Sequence, residues 1–180
     1  MNVFNKTLRF NYDFYNEIEY INDPTFDFSK YKKNVIHQFE KVKKVYPLLN
    51  LVFLPTTLKS TAMIQGYLIN YERLQTLGLN SVNDYLEYGM EILIIVPFDF
   101  LSKGVRVFDV NNFINVDAIP KKYRHFRNSP NKRVMLCTHK ENDIKKNNAV
   151  LGVVQSAEHL LLEYKKYVKT GVFDLECWTQ

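Results

Sequence analysis

The sequence predicts an α+β domain in which an antiparallel β-meander is flanked by an N-terminal and a C-terminal helix. Apolar side chains recur every three or four residues between Tyr31 and Tyr46, and again between Val150 and Val168. This is the period of an amphipathic helix. Between these two segments lie short runs rich in β-branched residues, which are typical of strands. The predicted order is therefore helix, strands, helix.

The chain has 180 residues, of which 46% are hydrophobic and 24% charged, as in an ordinary globular domain. This length predicts one domain, expected over residues 30–180, with residues 1–29 as an aromatic-rich extension packed on it. No apolar run approaches the roughly 20 residues that span a bilayer. The two cysteines make no disulfide framework, so a cytoplasmic location fits best.

The first helix is predicted to begin at about Ser29, a residue type that caps helix N-termini, and to end at Pro47. Its polar face is rich in lysine, namely Lys32, Lys33, Lys41, Lys43 and Lys44. Such a face is usually only solvated, but it also suits an acidic protein surface, and the net charge of +5 does not choose between partners.

The middle of the chain is predicted to form a three-strand antiparallel meander. Its strands are expected at 62–70, 88–97 and 104–110. Residues 71–84 form a polar connection that is expected to be partly helical. Residues 111–133 are rich in asparagine and basic side chains and are predicted to be irregular.

The chain then returns to regular structure. A short extended stretch is expected at Val134–Leu136, just before a cysteine. The last helix has a wide apolar stripe that ends near Val168, and Gly171 is its expected C-cap.

Cys137 is the residue that most favours chemistry, because it closes an apolar stretch where the chain turns polar and basic. The neighbouring cations Lys132, Arg133 and Lys140 are expected to lower the pKa of the thiol and to increase the nucleophilic thiolate form. His139, two residues on, would share a side with Cys137 in extended chain. It is a candidate to stabilise the thiolate or to assist proton transfer, and a solvated loop histidine is the alternative.

Other site chemistries have little support in the sequence. Cys137, His139 and His125 could supply three zinc ligands, but a fourth is missing and no C-x-x-C motif occurs, so no metal site is expected. The glycines are too scattered for a phosphate-binding loop, and no cofactor is expected. Aromatic residues do not interleave with the lysines as a stacking platform, which disfavours nucleic acid. Cys177 is expected to be structural or merely exposed.

Three stretches of the C-terminal third carry a resemblance to a known family. They are Leu136-Cys137-Thr138-His139, Ala157-Glu158-His159-Leu160-Leu161, and an ending from Tyr164 to Phe173 with the pattern Tyr-x-x-Tyr-x-x-Thr-Gly. Together with the element order, they resemble the ubiquitin-conjugating enzyme fold over residues 30–175. More specifically, they are similar to its bacterial branch in anti-phage CBASS operons, found beside a cGAS-like nucleotidyltransferase.

The resemblance implies that Cys137 carries the C-terminus of a partner protein as a thioester and passes it to an amine. The partner would be the cGAS-like nucleotidyltransferase or, as an alternative, a small bacterial ubiquitin-like protein. The family commonly docks its activating enzyme on the first helix. The candidate partner-binding residues are therefore Lys32, Lys33, Lys41 and Lys44. A non-catalytic protein-binding module of the same fold and a nucleic-acid-binding domain are the alternative classes.

The sequence departs from the family's pattern just before the cysteine. Eukaryotic members carry His-Pro-Asn there, and that asparagine supports the oxyanion during lysine attack. Here the stretch reads Arg-Asn-Ser-Pro-Asn, so Asn128 and Asn131 are candidates for the role without matching the motif. The 180 residues contain no ATP-binding glycine loop, so this chain would need cargo that is already activated.

Overall fold

The computed structural model describes residues 11–54, 61–78, 87–121, 125–138 and 149–173. Within these ranges the fold is α+β and contains a six-strand antiparallel sheet. The strands are β1 (Leu49–Phe53), β2 (Ala62–Tyr67), β3 (Glu91–Val96), β4 (Arg106–Asp109), β5 (Phe126–Asn128) and β6 (Val134–Leu136). The α-helices are α1 (Phe28–Val45), α2 (Tyr71–Leu77), α3 (Phe100–Lys103) and α4 (Ala149–Thr170), and 3-10 helices span Tyr12–Glu17 and Val116–Ala118.

The sheet is a four-strand meander extended by a hairpin. Strands β1 to β4 pair in sequence order, each antiparallel to the next. Strand β6 then pairs with β4, with Val107 opposite Leu136 and Phe108 opposite Met135. Strand β5 lies outside β6 as an edge strand, giving the order β1-β2-β3-β4-β6-β5. The hairpin that precedes the cysteine therefore closes one end of the sheet.

The predicted three-strand meander is wrong in its count, because the meander has four strands. The missed strand, β1, follows α1 closely and is only five residues long, too short for a clear alternating pattern. The prediction that 111–133 is irregular is also wrong at β5, where two of the three residues are exposed and give little apolar signal. The strands predicted at 62–70, 88–97 and 104–110 are confirmed with shorter bounds.

The first helix begins earlier than predicted. Its N-cap is Asp27, whose side-chain oxygen accepts the backbone N–H of Lys30 at 2.9 Å, so the predicted cap at Ser29 is wrong. The Asp27 carboxylate also complements the partial positive charge of the helix N-terminus. The predicted end before Pro47 is confirmed, since Tyr46 is the C-cap.

Helices α2 and α4 agree with the sequence, whereas the short helix α3 was not predicted. Helix α2 lies in the polar connection and ends at Gly78, whose φ of 57° is left-handed; positions 79–84 of that connection lie outside the described residues. Gly171 follows α4 with a φ of 71°, as a C-cap glycine should. Within the described ranges, no helix combines the length and apolarity that crossing a membrane requires.

One face of the sheet is covered by α1 and α4 and is called the helix face below. Alternate residues of β3, namely Ile92, Ile94 and Val96, join the apolar cluster formed with these helices. Tyr31 of α1 ties the helix to the sheet, because its hydroxyl accepts the Ala62 N–H at 2.7 Å and donates to the Val96 carbonyl. This cluster holds most of the buried apolar side chains and so dominates hydrophobic stabilisation.

The opposite face, called the strap face, is covered by residues 11–18, called the strap, which consist mainly of the 3-10 helix Tyr12–Glu17. Phe14 and Ile18 of the strap pack on apolar side chains of the sheet and its margin, namely Leu54, Met63, Leu93, Ile95, Phe108 and Met135. The rings of Phe14 and Phe108 are tilted, with centroids 5.5 Å apart. The described part of the predicted extension therefore lies against the sheet.

Candidate active site

Cys137 follows β6 at the end of the β5–β6 hairpin. Its backbone N–H donates to the His125 carbonyl at 2.8 Å, and the Ser129 N–H donates to the Arg133 carbonyl at 2.8 Å, so the ladder extends beyond both strands. The successive hydrogen-bonded pairs are His125–Cys137, Arg127–Met135 and Ser129–Arg133. Side chains alternate along a strand, so these pairs share one side of the hairpin. That side is the strap face, because Met135 belongs to its apolar cluster.

The thiol of Cys137 is half-buried, and this burial raises its pKa above the ordinary value. The positive charge of Arg127 lowers the pKa and is the smaller effect. Arg127 lies on the neighbouring strand, diagonal to Cys137 on the same side of the hairpin. At neutral pH the thiol is therefore mainly protonated, and its nucleophilic reactivity rises with pH.

The expectation of a lowered thiol pKa is wrong, because burial raises the pKa of Cys137. Lys132 and Arg133 belong to the hairpin turn, at the end opposite Cys137, and Arg133 contacts the strap instead. Lys140 lies outside the described residues, so its effect stays a prediction. An extended chain separates sequence neighbours by about 3.3 Å per residue. Among the described cations, the one that lowers the thiol pKa is Arg127, across the ladder rather than along the chain.

Neither Arg127 nor His125 was predicted from the sequence to lie across a hairpin from Cys137. A signal was available, because the turn-forming residues Ser129, Pro130 and Asn131 lie midway between the apolar residues Phe126 and Val134. Such a run predicts a hairpin, which would have paired His125 with Cys137. His125 is partly buried, and this burial lowers the pKa of its imidazole, which favours the neutral form.

The sequence-predicted partner His139 lies outside the described residues, and so does Cys177. Their roles stay predictions. Within the described ranges, no group of three or more His, Cys, Asp or Glu is arranged to hold a metal ion. The three-ligand set of Cys137, His125 and His139 includes a position outside those ranges, so this geometry does not test it.

The described contacts do not bring Asn128 or Asn131 to the thiol. Asn128 pairs with Val134 and is exposed, three residues along the strand from the His125–Cys137 pair, or roughly 10 Å. Asn131 lies in the hairpin turn, where its side-chain amide donates to the Asn16 carbonyl at 3.3 Å. The oxyanion role of both asparagines stays a prediction, and the hairpin ladder does not favour it.

Some lysines on the polar face of α1 make structural contacts, whereas others are exposed. Lys43 is partly buried and donates to the carbonyls of Pro47 and Leu49, each at 2.7 Å. Its burial lowers the pKa of its ammonium group. The Lys32 ammonium lies 5.2 Å from the centre of the Phe53 ring. The candidate partner-binding residues Lys32, Lys33 and Lys44 are exposed, whereas Lys41 is partly buried.

The site therefore contains the half-buried thiol of Cys137 on the hairpin at the end of the sheet. Arg127 lies across the β5–β6 ladder from it, and the lysine-rich helix α1 covers the opposite face of the sheet.

No protein-family model, curated protein or solved structure matches the chain. Arg127 favours the thiolate form of Cys137, but burial has the larger effect and keeps the free thiol mostly protonated at neutral pH.

Proposed function

We propose that the protein is a cysteine-dependent conjugating enzyme with a ubiquitin-conjugating-like fold. Cys137 takes the C-terminus of a partner protein as a thioester and passes it to an amine, in anti-phage defence. The observation that carries this proposal is the placement of Cys137, half-buried at the end of β6 on a hairpin that closes the sheet.

The element order supports the proposal. The resemblance implies a first helix, a four-strand antiparallel meander, a long irregular segment, the cysteine in a short apolar context, and then helices. The chain has α1, then the meander β1 to β4, then the hairpin with Cys137, then α4. The fourth meander strand was not among those expected from the sequence, so its presence is an independent point of agreement with the proposed fold.

The chemistry needs few groups. The Cys137 thiolate attacks the carbonyl of a C-terminus that arrives as a thioester on an activating enzyme, and the new thioester forms as the thiolate of that enzyme leaves. An amine then attacks the Cys137 thioester, forms the amide and loses a proton as the Cys137 thiolate leaves. Because the cargo arrives activated, the protein contributes mainly position and charge. Arg127 is the described cation that favours the thiolate form of Cys137, both when it attacks and when it leaves.

The cargo proposed first is a cGAS-like nucleotidyltransferase, and the second is a small ubiquitin-like protein. An acidic partner surface would dock on the exposed lysines of α1. Lys33 and Lys44 are exposed, whereas Lys32 lies over the Phe53 ring and Lys43 donates to a backbone carbonyl. Electrostatic steering would raise the association rate without adding a contact at the thiol.

A non-catalytic protein-binding module is the rival that one observation favours. Burial raises the pKa of Cys137, and buried cysteines are often inert. The two functions differ in what they leave on the protein. A module forms complexes that survive without a covalent bond, whereas the enzyme forms an adduct on Cys137 that a thiol reductant removes.

The test is to co-express the protein with a candidate cargo and its activating enzyme and to look for adducts. Wild type should give an adduct that dithiothreitol removes, Cys137→Ser one that resists dithiothreitol because it is an oxygen ester, and Cys137→Ala none. The mass of the adduct identifies the nucleotidyltransferase or the ubiquitin-like protein as cargo. Adduct formation by Cys137→Ala, or an adduct mapped to Cys177, would contradict the assignment.

A further inference from the structure

We propose that the strap positions the hairpin that carries Cys137, with Glu17 as the positioning residue. The catalytic meaning of this inference rests on the proposed function. Its structural basis is a set of contacts between the strap and the hairpin turn. These contacts lie on the strap face, the face that also carries the thiol of Cys137.

The central contact is a buried carboxylate. Glu17 is 5% exposed, and its carboxylate accepts the hydroxyl of Ser129, which is 8% exposed, at 2.6 Å. The same Ser129 oxygen accepts the Arg133 N–H at 3.1 Å inside the turn. A buried carboxylate is costly without hydrogen bonds, and bonds to it are stronger than those between neutral groups. Glu17 therefore fixes the turn through one short bond.

Two further turn residues contact the strap. The Asn131 amide donates to the Asn16 carbonyl at 3.3 Å. The Arg133 guanidinium donates to the Asp13 carbonyl at 3.3 Å and lies 4.8 Å from the centre of the Phe14 ring. Stacking of a guanidinium on an aromatic face adds a cation–π attraction. The turn is thus held at three of its side chains by one segment.

The hairpin needs such support. Each of its strands has only three residues, and β5 is an edge strand. Only two residue pairs of the β4–β6 ladder join the hairpin to the meander. Short two-strand units are marginally stable in water. If the turn is released, the hairpin can tilt or open, and Cys137 at its other end moves with it.

Release of the strap should therefore affect two reactions in opposite directions. The thiol would become more accessible, so a small alkylating reagent would react faster. Transfer of a carried C-terminus would become slower, because that step depends on a fixed geometry. Because a loss of folded protein would have the same two effects, the comparison needs variants that are folded at the temperature of the measurement and a control substitution away from the hairpin.

The experiment compares Glu17→Ala, Glu17→Gln and Glu158→Ala in a Cys177→Ser background. Glu158 is the matched control, since its carboxylate accepts the hydroxyl of Tyr46 at 2.7 Å and the side-chain amide of Asn70 at 3.0 Å, and it belongs to α4 on the helix face. The readout is the rate of Cys137 alkylation by iodoacetamide, measured well below the melting temperature of each variant. No partner is needed, so failure of the proposed function would leave this result unaffected.

Glu17→Ala should be alkylated roughly three- to tenfold faster than wild type, as expected when a local opening becomes more frequent. Glu17→Gln keeps an acceptor oxygen for Ser129 and should stay within about twofold of wild type. If Glu17→Ala does not fold, Arg133→Lys serves, because it removes the stacking on Phe14 but keeps the charge. An unchanged rate in Glu17→Ala, or in Arg133→Lys where that variant replaces it, would overturn the inference, and so would an equal acceleration in Glu158→Ala.

Discussion

The two faces of the sheet are closed by different kinds of structure. The helix face is covered by α1 and α4, whose apolar stripes repeat with the period of a helix. The strap face is covered by residues 11–18, a short 3-10 segment with two buried apolar side chains, Phe14 and Ile18. The helix face therefore supplies most of the stability of the domain, whereas the strap face holds the hairpin of Cys137 in place.

The charges are divided in the same way. The exposed lysines of α1 lie over the helix face, while Arg127 shares the strap side of the hairpin with Cys137. In the proposed function, the helix side attracts a partner and the strap side performs the chemistry. The substitutions below test this division, starting with the largest expected effect.

The largest effect is expected on the helix face. Leu160 of α4 is fully buried, and Leu160→Ala should lower the free energy of unfolding by about 2–5 kcal/mol, through lost burial and a residual cavity. Urea denaturation measures this loss. The control is Val168→Ala on the same helix, where the side chain is 60% exposed and a change within about 0.5 kcal/mol is expected. A loss below about 1 kcal/mol for Leu160→Ala would contradict the account.

A smaller effect is expected on the strap face. Phe14→Ala should lower the free energy of unfolding by about 1–3 kcal/mol, less than the 3–5 kcal/mol typical of a core phenylalanine. The reason is that the short strap can open locally while the rest of the domain stays folded. Hydrogen exchange should show faster exchange in the strap and hairpin alone. Uniformly faster exchange across α4 would mean that the two faces are not separable.

The lysines on the helix side are tested by charge reversal. Lys33→Glu with Lys44→Glu should slow association with an acidic partner by about tenfold at low salt and should reduce the salt dependence of that rate. Stopped-flow measurement at two ionic strengths gives both values. The reaction of Cys137 with iodoacetamide should be unchanged in the same protein. Equal association rates for variant and wild type at low salt would mean that the lysine face is only solvated.

The smallest effect is expected at Arg127. Its charge lowers the pKa of Cys137, so Arg127→Gln should raise that pKa further and leave less thiolate near neutral pH. Alkylation should slow by about two- to fivefold, since Arg127 is exposed and partly screened. The two rates should converge at high pH, where both thiols are ionised, and Lys132→Gln should behave as wild type. Superimposable rate–pH curves for Arg127→Gln and wild type would exclude the effect.

The sequence predicted the helix face far better than the strap face. Helices α1 and α4 and three meander strands follow from residue periods, which report the burial of one side. The strap and β5 have no period, and their positions depend on contacts between residues more than 100 positions apart, such as Glu17 with Ser129. Cys137 was found because its local context is unusual. Arg127, the described cation that lowers the pKa of Cys137, was not found, because it is a neighbour across the β5–β6 ladder and not along the chain.

The most direct test of the central claim is thioester exchange onto Cys137. A peptide with a C-terminal glycine thioester bypasses the need for an activating enzyme, and mass spectrometry of digested protein shows which cysteine is loaded. Cys137 should be loaded at least about tenfold faster than Cys177, because it is positioned for the reaction. The adduct should then be discharged by an added amine with formation of an amide. Loading of Cys137 no faster than Cys177, or loading that no amine discharges, would contradict the claim that this protein carries and transfers a C-terminus.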